Sequence, residues 1–336
     1  MNPILVEVTR GDRIESAHRG AIAICDAKGG VFGSWGDIEA AVYPRSAFKS
    51  LQALALVESG AADAFSVGPD ELALACASHS GEPMHVERVE RWLQRIECKE
   101  SDLACGPHLP LHEPSAHAMI REGRKPCRLH NNCSGKHTGF LTLARHLGIS
   151  PANYERPDHP VQRLVRAAIA EMCDLKADDL PVAIDGCAAP NYAIPLQNLA
   201  RAMARLGETG ALAPARAAAA RRLVDAWREY PELVSGTGRS CADLIRATTG
   251  RTVVKTGAEG VFTAVLPERG LGVAIKIDDG ATRGAETVMA RLLVLLGVAD
   301  DASALIAKHE RPAVRSWRGD AVGERRISAA LDTLAS

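Results

Sequence analysis

The chain carries no excess of either charge: 40 Lys and Arg stand against 41 Asp and Glu, a formal net charge of −1. Phosphate binding draws on clustered lysine and arginine, so this balance argues against a nucleic-acid partner held by a basic surface. An anionic membrane is equally unsupported as a partner. No uncharged apolar run reaches the roughly 18 residues that a membrane span needs. The opening segment, MNPILVEVTRGDRIES, is charged early and lacks an apolar signal core, so a cytoplasmic location is expected. Nine cysteines from Cys25 to Cys241 include no C-x-x-C pair. In a large chain without an export signal, reduced thiols are expected. Internal repeats and long low-complexity linkers are missing as well.

What is present is ordinary globular material: 336 residues, 46% hydrophobic and 24% charged, enough to bury a large core. Ile4 to Thr9 and Ile14 to Cys25 read as strands, with Gly29-Gly30 turning the chain before Val31-Phe32. Ser46 to Glu58 reads as a helix with Phe48, Leu51, Leu54 and Ala55 on one face, ended by Gly60. Glu87 to Glu97, Val161 to Met172 and the Ala/Arg-rich stretch Ala215 to Trp227 also read as helices. Val253-Val254, Val261 to Leu266 and Leu271 to Ile277 read as strands, the last two joined at Pro267-Glu268-Arg269-Gly270. Ala281 to Leu296 reads as an apolar helix. Residues 105–117 read as an ordered loop, and the charged tail from Ala302 as a surface helix or partner contact. The pattern predicts an α/β (α+β) fold as one unit over 1–336. An antiparallel sheet from about 3–35 and 250–300 is covered by helices, with a helical part over about 46–245.

Three short motifs follow in order: Ser46-Ala47-Phe48-Lys49, Cys133-Ser134-Gly135-Lys136 and Lys255-Thr256-Gly257. The order S-x-x-K, a polar middle motif, then K-T-G is that of serine hydrolases using lysine as base. Residues three apart on a helix share a face, so the Ser46 hydroxyl and the Lys49 amine can meet. A helix N-terminus favours the developing alkoxide. Acting as base requires a neutral amine, which burial and a second cation both promote. The plainer reading makes Ser46 a helix cap and Lys49 an exposed side chain. Ser78, in Cys76-Ala77-Ser78-His79-Ser80-Gly81-Glu82, is a second candidate hydroxyl that could pair with Lys255; the alternative is a structural turn with His79 capping backbone.

Cys133 and Cys187 could serve a thiophilic ion such as zinc, with His137 as the conventional nitrogen ligand and an amine as an unusual one. Spacing alone does not decide between a metal site and reduced buried cysteines.

The strings YPRSAFKSLQAL, CASHSGE, NNCSGKHTGF, DGCAAPNYAIPL and VVKTGAEGVF together resemble the rhizobial-type (class 3) L-asparaginases, from near Gly11 to beyond Ala281. The resemblance implies a fold related to serine β-lactamases and glutaminases, hydrolysis of L-asparagine, and a homodimer. It implies two Ser-Lys pairs, Ser46 with Lys49 and Ser78 with Lys255; Lys276 is the other strand lysine near the latter. It further implies Zn2+ on Cys133, Lys136 and Cys187, with His137 and Asp185 around it and Arg45 beside the nucleophile. Rival readings are a glutaminase or β-lactam-reactive enzyme, and a zinc-ordered binding protein without catalysis.

Overall fold

The computed structural model describes residues 1–331. The chain forms two compact units: Met1–Ala47, Ile194–Glu208 and Asp243 to the end of the described residues make one, and Phe48–Ala193 with Thr209–Ala242 the other.

The first unit is an antiparallel sheet of eight strands. These are β1 (Ile4–Arg10), β2 (Arg13–Asp26), β3 (Val31–Trp35), β4 (Val253–Thr256), β5 (Val261–Leu266), β6 (Leu271–Ile277), β7 (Ala313–Arg315) and β8 (Ala321–Ile327). They lie in the order β7-β8-β1-β2-β6-β5-β4, with β3 also on β2. The two chain ends meet at β2 and β6, where Ala23 faces Ala274 and Ile277 faces Gly20. Val, Ile, Leu and Ala dominate these strands, and Ala21 to Cys25 and Leu271 to Ile275 are buried on both sides.

Helices account for both faces. Gly272 lies under the helix Leu196–Gly207, where an added Cβ would collide with the Ala200 carbonyl and the Ala204 amide. Ile277, five residues on and therefore on the opposite face, meets Gly284 of the helix Thr282–Leu295. Antiparallel sheet from both chain ends under helices is the arrangement the sequence predicts.

The tail differs from its prediction. A short helix, Ala304–Glu310, is followed by β7 and β8, and β8 extends the sheet by pairing Val6 with Ile327. Its residues Gly323-Glu324-Arg325-Arg326 are too polar to signal a strand: it pairs with both β1 and β7, yet none of its residues is buried. Residues 332–336 of that tail lie outside the described residues.

The second unit is helical. At its centre lie Lys49–Glu58, with nine residues buried from Lys49 to Val57, and Ser134–His146, buried continuously from Ser134 to Ala144. A helix buried all round has no solvated face, so the single apolar face expected of the first one was too narrow. Pro69–Ala75, Pro83–Arg95, Pro160–Cys173 and Pro214–Glu229 surround this pair. The last buries Leu223, Val224 and Trp227 among its alanines, and its Arg216, 11% exposed, turns inward to pair with Glu58. Within 105–117 the chain is non-helical only up to His112, after which Glu113–Arg121 is a helix. No disulfide joins the nine cysteines among the described residues. No helix among the described residues is long and apolar enough to cross a membrane.

Gly272→Ala should destabilise the sheet unit by about 1–3 kcal/mol through overpacking. A fall in thermal midpoint checks this; an unchanged midpoint would mean the helix can lift off the strand at no cost.

Candidate active site

Ser46 does not open an α-helix. It lies in a 3-10 turn, Arg45–Phe48, which runs directly into Lys49–Glu58, and the N-cap of that helix is Phe48. The hydroxyl is therefore not spent on capping it. Arg45, just before Ser46, is held at φ +54°, a left-handed conformation that costs a non-glycine residue free energy. The K-T-G strand end reaches the same segment inside the sheet unit. An added Cβ on Gly257 would strike the Pro44 carbonyl and Ala47, and Thr263 Oγ1 on the neighbouring strand donates to the Ala47 carbonyl at 2.8 Å. Glycine at 257 is thus what lets β4 end against the Ser46 turn. Lys255 is fully buried and donates to the Thr256 carbonyl. Lys276, half-buried, donates to the carbonyls of Glu259 and Ile277 instead.

In the helical unit, Lys49 is only 1% exposed. Its Nζ reaches Ser78 Oγ at 3.0 Å, Cys133 Sγ at 3.0 Å and the Ala77 carbonyl. Three acceptors match the three donors of an ammonium. The geometry thus joins the lysine of the first motif to the hydroxyl of the Ser78 loop and to the cysteine of the middle motif.

Beside them, Cys133, Lys136 and Cys187 converge. Lys136 Nζ lies 3.1 Å from Cys187 Sγ. A hydrogen bond from Cys133, helped by Lys136 and His137, holds the Cys187 thiol well below its ordinary range against burial, while the same bond and burial push Cys133 up. The pair shares one thiolate, placed on Cys187. Burial opposes charge on Lys136, but the two sulfurs outweigh it and raise its pKa. Tyr154 Oη accepts from the Ala104 amide at 2.9 Å, so its proton goes to His137 Nδ1 at 2.7 Å. The imidazole then carries its own proton on Nε2, a buried atom without a hydrogen-bond partner of normal geometry. His137 thus stands beside the two sulfurs with its ring held by Tyr154. Asp185 is half-buried in the hairpin loop that carries Cys187, and its charge acts on Lys136.

Among the described residues, no group of three or more His, Cys, Asp or Glu is placed to hold a metal. Two sulfurs and an amine nevertheless form a donor set that fits a soft divalent ion, provided Lys136 gives up its proton.

The Ser78 loop is braced from several sides. The Ser78 amide donates to the Val234 carbonyl, and the His79 amide to that of Asn132. Ser134 Oγ donates to the Leu129 carbonyl, so it accepts from His79 Nε2 at 2.8 Å. His79 Nδ1 accepts from the Gly81 amide, the backbone cap expected from the sequence. Burial, then His85 and Lys49, hold His79 neutral. Glu82 accepts from Ser80 Oγ at 2.6 Å and from the Thr237 amide and hydroxyl at 2.9 and 2.8 Å. Burial opposes its ionisation, but these three bonds prevail and its pKa is lowered.

The profile of the L-asparaginase II family matches residues 6–327. The chain belongs to that family. Its members are hydrolases, in keeping with the resemblance read from the motifs. No curated protein matches the chain. Among solved structures it is similar to a β-lactamase from Mycobacterium bovis, at 14% identity over 82% of this chain and 94% of that one, with a TM-score of 0.43. It is similar also to an octameric penicillin-binding protein homologue from Pyrococcus abyssi, at 13% identity over 86% and 75%, TM-score 0.41. Likeness this loose speaks to neither substrate nor mechanism.

For this L-asparaginase II chain the motifs therefore fall into two sets. Ser46 and Arg45 lie with the Lys255 strand end in the sheet unit; Lys49, Ser78, Cys133, Lys136, His137, Asp185 and Cys187 lie in the helical one. Tyr154, which fixes His137, was not singled out from the sequence; Glu82 closes the Cys76–Glu82 motif, but its bracing role was not read because its partner Thr237 lies 155 residues away.

Glu82 is depressed in the folded state. Its stabilisation is complete above the unfolded carboxylate value of about 4.3 and is lost as pH falls through the folded value. Glu82→Gln should cost about 1–3 kcal/mol at pH 7 by leaving buried donors poorly matched. The deficit should narrow below about pH 4, and melting curves across pH 3–7 check this. A deficit independent of pH would remove the ionised carboxylate from the explanation.

Proposed function

We propose that the protein is an L-asparagine amidohydrolase that releases L-aspartate and ammonia through a serine ester. The observation that carries this reading is the buried Lys49 amine, 3.0 Å from Ser78 Oγ and three residues from Ser46, in a chain of the L-asparaginase II family.

Ser46 Oγ attacks the side-chain carboxamide carbon, and Lys49, neutral at that moment, takes the hydroxyl proton. As the C–N bond breaks, Ser78 and Lys255 pass a proton to the nitrogen, which leaves as ammonia and leaves an aspartyl ester on Ser46. Water attacks the ester, the same groups working in reverse restore the Ser46 hydroxyl, and aspartate departs. Backbone N–H groups of the 3-10 turn serve the oxyanion; the Ala47 amide is occupied at rest by the Pro44 carbonyl.

Cys133, Lys136 and Cys187 would hold Zn2+, with His137 and Asp185 around it and Arg45 beside the nucleophile. Two thiolates neutralise the ion's charge, so it would supply order and substrate positioning rather than strong polarisation. A cytoplasmic homodimer belongs to the same reading.

Purified protein should release ammonia from L-asparagine much faster than from L-glutamine. One methylene of pocket depth is worth roughly 1–3 kcal/mol, so comparable rates would move the substrate to glutamine or both. Release from neither, by folded and zinc-loaded protein, would leave a binding protein. Ser46→Ala should lower kcat by at least about 10⁴-fold with the fold intact, and Lys49→Met by a similar factor; turnover retained in Ser46→Ala would transfer the nucleophile to Ser78. Zinc removal should raise KM more than it lowers kcat. A kcat loss at saturating substrate, restored by zinc, would instead put the ion in the chemical step.

A further inference from the structure

The segment Ser235-Gly236-Thr237-Gly238-Arg239 braces the Ser78 loop and ends on a cation with an open edge. Arg239 is half-buried. Its Nη1 donates to the Ser78 carbonyl at 3.1 Å and the Ser235 carbonyl at 3.5 Å. Nε and Nη2 make no hydrogen bond among the described residues, and no carboxylate there pairs with the guanidinium. The acid of the loop it grips, Glu82, is committed to Ser80 and Thr237.

This is an incomplete environment for a guanidinium. Partial burial against carbonyls alone leaves its charge uncompensated. One corner of the planar fork is fixed while the remaining N–H groups stay available, which is the geometry that receives a carboxylate through two parallel hydrogen bonds. Arg239 also directly precedes the helix Ser240–Ala247. The helix dipole disfavours a cation at that end and favours an anion. Arg239 holds the backbone carbonyl of the same residue whose hydroxyl Lys49 holds, so Ser78 is the partner the two cations share.

We propose that Arg239 is the specificity-determining residue that takes the α-carboxylate of the amino-acid substrate, so that the enzyme selects side-chain amides of α-amino acids over simple amides. The inference rests on the amidohydrolase reading. It adds the residue that reads the carboxylate of that substrate.

The test compares L-asparagine with 3-aminopropanamide, which is asparagine without its carboxylate, in wild type, Arg239→Met and Arg239→Lys. The ratio of kcat/KM for the two amides should fall about 10- to 100-fold in Arg239→Met, mainly through KM for asparagine. Arg239→Lys, which keeps the charge but not the fork, should fall between. Loss of the same factor on both amides, with the ratio unchanged, would make Arg239 a brace for Ser78 and overturn the proposal. If Arg239→Met fails to fold by circular dichroism, the Arg239→Lys ratio decides in the same way. If the wild type turns over no amide, the amidohydrolase reading fails by itself. Calorimetric binding of L-aspartate then decides the clamp: affinity weakened about 10- to 100-fold in the variants supports it, and equal affinity refutes it.

Discussion

One lysine sets the terms for the helical unit. Lys49 is almost wholly buried, and an uncompensated ammonium there would cost several kcal/mol. Its three acceptors come from two places far apart in sequence: the Ala77 carbonyl and the neighbouring Ser78 hydroxyl, and the Cys133 sulfur. The Ser78 loop and the start of the Ser134–His146 helix must therefore both be in place before the amine can be buried. The braces on that loop, His79 to Ser134 and Glu82 to Thr237, follow from the same need: a polar loop inside a helical core has to satisfy every group it brings.

The sulfur cluster repeats the logic with opposite sign. A thiolate on Cys187 is tolerated because Lys136 lies against it and His137 offers a proton whose direction Tyr154 fixes. Lysine in this position is a counter-ion in the protonated state and a nitrogen donor once deprotonated. The donor set can thus satisfy itself with or without an ion.

The strands were legible because Val and Ile runs such as Val261 to Leu266 are broken by turn residues such as Gly270, and the site motifs because Ser, Lys and Cys recur in a short, ordered set. Less legible was what depends on the third dimension. Ser46 reads as a helix cap from its neighbours, yet the helix begins three residues later, because Arg45 enters the segment with positive φ. Ser78 was paired on resemblance with Lys255, while the helical unit also gives it Lys49. β8 was missed because a strand rich in Glu and Arg, with no buried residue, carries no apolar signature. Tyr154 is an ordinary aromatic until its hydroxyl is seen between the Ala104 amide and His137.

The sheet unit is assembled from three separate stretches of chain, with Gly20 beside Ile277 at its middle. During synthesis β1, β2 and β3 emerge some 220 residues before β4. Until then the central strand β2 has an open edge, a hazard for any sticky pleated surface. Most of the helical unit, built largely from one uninterrupted stretch, is made in that interval. Closing loops this long is slow, and the seat that β2 offers stays unfilled until its partner β6 has been made.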